Sequence, residues 1–301
     1  MAAVLAGSGW PADGNPGQSG SGPTVLRITL GSQLRRLREA KGISRSEAGH
    51  LIRGSESKIS RLELGRSPFK ERDVADLLTL YGVTDAEERA AFLGLVKQAN
   101  NPGWWHKYSD VLPPWLNVYL GLEAGASVIR TYEPHAVPAL LQTEDYAQAH
   151  IRLAQPDAMP LEVKRRVEVR RERQRILAAA ERPTLWTVIE ESVLRRPVGG
   201  PEVMRGQLRH LIEMGQRDHV TVQILPHGAA GHALIGQAFT MLRFTEPDLP
   251  DLVYLEQLSS ALYLDKREDL DIYTKVIERL CVEARPGHES VALLRELHDR
   301  L

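Results

Sequence analysis

Residues 43–66 read ISRSEAGHLIRGSESKISRLELGR, and this stretch decides the fold of the N-terminal part of the chain. Ser44 is placed to cap a short helix over Arg45–Ile52, because its side-chain oxygen suits an orphan amide of the first turn. Glu47, three residues on, completes a capping box. Arg53-Gly54 breaks that helix, with Gly54 supplying backbone freedom. Ser55 then caps a second helix, Glu56–Leu64, which Gly65 stops. Leu51, Ile52, Ile59 and Leu62 point to one shared core, which leaves Glu56, Ser57, Ser60 and Arg61 on another face. Two short helices joined by a tight turn, the second with free polar groups, suit the major groove of DNA.

Outward from this unit the pattern stays helical. Leu30, Leu34 and Leu37 recur at helical spacing, so residues 30–40 read as an amphipathic first helix ended by Lys41-Gly42. Pro68 opens a loop before a fourth helix, Lys70–Tyr81, striped by Val74, Leu77, Leu78 and Tyr81. Asp85 caps a fifth from Ala86 to about Gln98. Five helices bury one small core. Residues 27–72 hold twelve Lys/Arg and five Glu, a balance of +7, while the whole chain is −1, so the remainder sums to −8. A neutral total hides a basic head and an acidic body. Basic charge gathered on one small bundle is the footprint of a polyanion binder, although a solvated bundle with surplus arginine has the same count.

The segments LRRLREAKGIS, SEAGHLI and SESKISRLELGR resemble the Xre-type helix-turn-helix regulators, the group that includes phage repressors. The resemblance implies that Arg45, opening the second helix, contacts the DNA backbone and braces a base-reading side chain. It also implies that base edges are read by Glu56, Ser57 and Arg61, with Ser60 beside them. Chemistry agrees, since Arg61 could grip a guanine bidentately and Glu56 could accept from a cytosine amino group. Ser55, Lys58, Arg66 and Lys70 suit phosphate contacts, which position without reading sequence. One departure stands out. The family has Gly then an apolar residue in the turn, and this chain has Arg53 then Gly54. Either Arg53 takes a left-handed conformation at some cost, or the turn is one residue longer.

Residues 1–25 are rich in Gly, Ser and Pro and lack the apolar mass to offset ordering entropy, so a disordered tail is expected there. The start has no Lys or Arg and only a short apolar run, unlike a secretory signal. No stretch approaches the roughly 20 apolar residues of a bilayer span. Cys281 is the single cysteine; it forms no internal disulfide and fits a reducing cytosol. Asn100-Asn101-Pro102-Gly103 is a turn-rich break, so the head is expected over residues 26–100 and a second domain over 101–301. In the second domain residues 115–129, 144–154, 161–180, 202–216, 266–283 and 290–300 read as helices. Leu185–Ile189, Val220–Leu225, Ala238–Phe244 and Leu252–Leu255 read as strands, which argues for an α+β or mixed α/β body with one sheet.

Several clusters in this body invite a functional reading. Trp104, Trp105 and Trp115 gather with Tyr108 and Tyr119 just after the break. Such aromatics form either a core or inter-domain seam, or a partner or ligand surface. Residues 162–175 carry seven Lys/Arg against Glu162, Glu168 and Glu172. This run reads as a solvated face laced with ion pairs, with Arg170 turned inward against Glu190 or Glu191. His227 and His232 bracket a Gly-rich loop after a strand, where α/β sheets often bind ligands. No third metal ligand is evident nearby, so two neutral loop histidines are expected rather than a metal site. The chain has no Walker pattern, GxGxxG, GxSxG, HExxH or CxxC, so neither a cofactor nor catalysis is expected.

WLNVYLGLEAGASVIRTYEPHAVPALLQTEDYAQAHI, VKRRVEVRRERQRIL, VIEESVLRRPVGG, MRGQLRHL, VTVQILPHGAAGHALIGQAFTMLRF and VYLE are similar to the C-terminal domain of a large group of actinobacterial, antitoxin-like regulators that includes the WhiJ-like proteins. That resemblance spans roughly residues 104–300 and brings no catalytic residues. It implies a cytoplasmic, nucleoid-associated transcription regulator that binds double-stranded DNA and whose C-terminal domain binds a small partner protein encoded nearby. A homodimer is expected because one helix-turn-helix covers only a short half-site. The sequence also admits two alternatives, a regulator that senses a small molecule and, less favoured, an enzyme with a DNA anchor.

Overall fold

The computed structural model describes residues 22–229, 237–247 and 249–301. The head is all-helical: α1 (Pro23–Ala40), α2 (Arg45–Leu51), α3 (Glu56–Glu63), α4 (Glu71–Leu80) and α5 (Ala86–Ala99). Its core is built from Leu30, Leu34, Ile52, Ile59, Leu62, Phe69, Val74, Leu77, Leu78 and Val96. The apolar spacing read from the sequence turns these side chains inward, with one exception. Leu51, expected in the core, is 45% exposed. It is the last residue of α2, and the neighbouring Ile52 takes the inward position instead.

α1 starts at Pro23, a residue whose fixed φ suits a first helical turn, and not near residue 30. Residues 23–25, assigned by composition to the tail, are therefore helical. Val25 is fully buried, and it packs with Trp105, Tyr108 and Leu120 of the body, away from the head's own core. The approach is close. A Cβ on Gly121 would meet the Thr24 hydroxyl oxygen at 2.0 Å, and one on Gly125 would meet a Val25 methyl at 2.5 Å. Glycine at both positions lets the first turn of α1 lie directly on the body.

The body opens with a 3-10 turn over Trp104–Tyr108 and α6 (Pro114–Glu123). β1 (Val128–Glu133) follows, then a 3-10 turn over Ala139–Leu141, α7 (Glu144–Ala154), α8 (Pro160–Gln174) and a 3-10 turn over Arg175–Ala178. Next come β2 (Thr184–Glu190), α9 (Glu191–Leu194), α10 (Pro201–Met214) and β3 (Val220–Leu225). The chain closes with β4 (Phe239–Arg243), β5 (Leu252–Glu256), β6 (Ala261–Leu264), α11 (Arg267–Glu283) and α12 (Gly287–Arg300). The four expected strands are present. β1, β6 and α9 were not foreseen: the expected helix over 115–129 stops at Glu123, and its last two residues begin β1.

The six strands form one mixed sheet in the order β3-β2-β1-β4-β5-β6. β1 pairs in parallel with β2, and β2 with β3, through helical crossovers of the length that parallel neighbours require. The chain then crosses to the other flank of β1, where β4, β5 and β6 run antiparallel. β1 and β4 therefore flank the point where the connection changes direction, the place in open α/β sheets where a crevice forms beyond the strand ends. Alternation along each strand divides the residues between two faces. Ile129, Leu185, Ile189, Val222, Ile224 and Leu242 join the larger core, with side chains of α10 and α12. Tyr132, Val188, Phe239, Val253 and Leu255 pack on the other face against Ile277 and Leu280 of α11.

Candidate nucleic-acid interface

The geometry of the helix-turn-helix follows from its caps. Ser44 Oγ accepts from the amide of Glu47 (3.1 Å), and Glu47 Oε2 accepts in return from the amide of Ser44 (2.8 Å), closing the capping box. The Ser44 amide and the Ser44 hydroxyl, both donating to Glu47 Oε2, hold the exposed Glu47 carboxyl below its ordinary range. Ser55 Oγ accepts from the amide of Lys58 at 3.2 Å and starts α3. Between the helices Arg53 has φ 51°, while Gly54 has no positive φ. The turn thus places arginine in the left-handed region that glycine normally fills, the first of the two options left open by the sequence. Just beyond α3, Gly65 has φ 64° and turns the chain away.

A buried ion pair, invisible to local pattern reading, sets the angle of α3. Arg38 of α1 donates from Nε to Glu63 Oε1 (2.5 Å) and from its terminal nitrogen to Glu63 Oε2 (3.0 Å). Its remaining nitrogen donates to the carbonyl of Ile43 at 2.8 Å, just before α2. Both side chains are more than nine-tenths covered. One fork thereby joins α1, the approach to α2 and the end of α3. The Glu63 bond and charge hold the Arg38 guanidinium above its ordinary pKa despite burial. The only sequence signal was a charged pair at inward-facing helical positions, twenty-five residues apart.

With α3 fixed, Glu56, Ser57 and Arg61 are exposed and Ser60 is half-buried beside them. Arg45, Ser55, Arg66 and Lys70 are exposed around this face. Arg45 Nε lies 3.6 Å from Glu56 Oε1, so the first residue of α2 steadies the first residue of α3. Lys58 is placed differently from the expectation of a free phosphate partner. Its Nζ donates to Asp73 Oδ2 of α4 at 2.6 Å, so its charge is engaged within the head. Lys70 is the residue preceding α4.

The aromatic cluster after the break is interior. Trp105 and Tyr119 are buried, and Trp104 and Trp115 are half-buried. Trp104 meets Trp105 edge-on at 5.8 Å. Tyr263 donates its hydroxyl to the Trp115 carbonyl at 2.5 Å. Since Val25 of α1 packs on the same cluster, these side chains form a seam between head and body; the exposed partner surface that was the other option does not exist at Trp105 or Tyr119. The amide of His227 donates to Glu191 Oε2 at 3.4 Å. His232 lies outside the described residues. Among the described residues no group of three His, Cys, Asp or Glu could hold a metal, and none of the helices is long and apolar enough to cross a membrane.

Arg170 does not reach Glu190 or Glu191. Its guanidinium donates to Gln142. Glu190 accepts from the Tyr132 hydroxyl at 2.5 Å, and Glu191 pairs with Arg195 across one turn of α9. The strand ends at Glu190 and Glu191 begins a helix, so the two carboxylates diverge. The inward ion pair of α8 is formed instead by Arg173, which grips Glu123 of α6 with two bonds of 2.9 and 2.8 Å.

A family model described as a helix-turn-helix domain matches residues 29–92, the span that contains α2 and α3. A second, described as a domain of unknown function (DUF5753), matches residues 116–296. No curated protein and no solved structure matches the chain. The helix-turn-helix match supports a DNA-binding regulator. Because the other match spans more than half of the 301 residues, the protein belongs to the DUF5753 family, with a helix-turn-helix domain ahead of the family's own domain.

Proposed function

We propose that this protein is a sequence-specific transcription regulator that lays α3 in the major groove and reads bases with Glu56, Ser57, Ser60 and Arg61. The observation that carries this reading is the exposed polar edge of α3, held rigid by two serine caps and the Arg38–Glu63 fork within a stretch, residues 27–72, of net charge +7. Preorganised side chains on a helix lose little entropy on binding, which favours discrimination between bases. Arg45, Ser55, Arg66 and Lys70 flank that edge and supply phosphate contacts. Lys58, tied to Asp73, is held within the head and is not counted among these contacts. The protein acts as a homodimer on a two-fold operator in the cytoplasm, and the body binds a small companion protein that modulates DNA binding. Support for the companion comes from the similarity of residues 104–300 to antitoxin-like regulators.

Selection from random duplexes at low salt tests the central statement. A consensus sequence should emerge, and its affinity should fall steeply as salt rises, in proportion to the phosphates neutralised. Binding without any sequence preference, with or without proteins from the same operon, would overturn it. Light scattering of the free protein at micromolar concentration should give twice the monomer mass.

A further inference from the structure

The body holds a cavity of about 220 Å³ on the larger-core face of the sheet, at the C-terminal end of β1 where β1 and β4 part company. Its volume lies below the roughly 300–1,000 Å³ of pockets for drug-sized ligands, so its occupant is smaller. The lining is unusual for a gap in a core. Glu133 of β1 and Arg170 of α8 both line it, and among the described residues neither forms an ion pair. Arg170 has only the Gln142 amide oxygen, and Glu133 only a 3.4 Å bond from the Thr131 hydroxyl. Glu256 of β5 is exposed and lines the same space, which opens the cavity to solvent on that side. The other guanidinium of the lining, Arg173, is already neutralised by Glu123. His150 adds a buried Nδ1 with no hydrogen-bond partner.

Covered charges of opposite sign that line one cavity without forming an ion pair are costly unless something bridges them. Burial draws the Arg170 guanidinium down to about 10 and pushes the Glu133 carboxyl up to about 7, the direction expected of charges lacking a partner. Burial also takes His150 down to about 4, so the imidazole is a neutral acceptor or donor at neutral pH. We propose that this cavity binds a small zwitterion of the free amino-acid class, its carboxylate on Arg170 and its ammonium between Glu133 and Glu256. A simple carboxylate would satisfy Arg170 and leave Glu133 beside it unpaired. A simple amine would do the reverse. Only a ligand carrying both groups completes the site, and the small volume limits it to a single residue.

The full chain is heated with each of the twenty free amino acids at millimolar concentration, alongside acetate and ethylamine. One or a few amino acids should raise Tm by several degrees, as a ligand that binds only the folded state must. Acetate and ethylamine should not. Arg170→Gln and Glu133→Gln should each abolish the shift, and isothermal titration should lose the binding heat in parallel. Glu133→Gln is nearly isosteric and stays informative should Arg170→Gln fail to fold. No shift with any amino acid, an equal shift with acetate or ethylamine alone, or a shift that survives Glu133→Gln would overturn the proposal. DNA is not involved in the readout, so the reading of α3 stands or falls separately.

Discussion

Arginine does opposite work in the two parts of this chain. In the head Arg45, Arg61 and Arg66 are exposed around a helix end, and residues 27–72 carry +7. In the body, whose surroundings are net acidic, α8 turns Arg170 and Arg173 inward beneath the sheet. The outward set acts through a field that salt screens within about 10 Å at 0.1 M. The inward set is shielded from salt and needs a partner atom by atom. Arg173 has one: burial works against its charge, and Glu123 more than restores it, holding the guanidinium above its ordinary value. Residue type therefore says little about role. Whether a carboxylate lies within reach, and whether water does, decides between recognition and architecture.

The comparison breaks most visibly at Arg173. Arg173→Ala leaves Glu123, only 2% exposed, without its counter-charge, and should lower stability by about 3–5 kcal/mol in urea unfolding. Replacing Arg173 and Glu123 together by Met and Leu should recover most of that loss, because the cost lies in the orphaned charge. Arg61→Ala should do the converse. Operator affinity in a shift assay drops about tenfold to a hundredfold and specificity relaxes, while stability stays within about 0.5 kcal/mol of the parent. Lys70→Ala should weaken all duplexes alike and flatten the salt slope by about one phosphate. Should Arg61→Ala unfold the protein, or Arg173→Ala leave it unchanged, the contrast fails.

Two smaller effects sharpen it. Arg53→Gly relieves the left-handed arginine in the turn and should stabilise the head by about 1 kcal/mol in the same assay. A loss would mean that the Arg53 side chain makes a compensating contact. The last effect concerns pH. Glu133 is raised in the folded state to about 7, from an ordinary value of 4.5. The folded form therefore favours the protonated carboxyl. Its contribution is full below about 4.5 and is lost as pH rises through about 7. Glu133→Gln should flatten the fall in stability across that window, and an unchanged pH profile would mean that the Glu133 carboxyl is not desolvated in the cavity.

The head was largely legible because its determinants are local. Ser44, Glu47, Ser55 and Asp85 cap within three residues of themselves, and an apolar stripe repeats within one helix. Leu51 failed where a helix end, not its periodicity, set which way the side chain faces. In the body, the strands with long apolar runs were readable, but β1 carries Arg130, Thr131 and Glu133 and abuts a helix, so its sequence resembles the helix's continuation. β6 has four residues and shows no alternation strong enough to notice. The pairs that matter most were out of reach altogether. Arg38–Glu63, Lys58–Asp73 and Arg173–Glu123 span fifteen to fifty residues, and nothing along the chain announces which carboxylate a given arginine or lysine will find.

The first turn of α1 gives the molecule an overlap that a domain diagram would miss. Val25 is a plug seated in the body's interior, with Ile28 packed on the same cluster, although Leu26, Leu30, Leu34 and Leu37 of the same helix serve the core of the head. Anyone who severs the chain at the turn-rich break near residue 100 takes the plug away with the wrong piece. The released bundle would wear a sticky apolar tip, and the remainder would keep a vacant socket beside Trp105. The far end of the same helix carries Arg38, which grips Glu63 at the end of α3, so one helix touches both the socket and the helix-turn-helix.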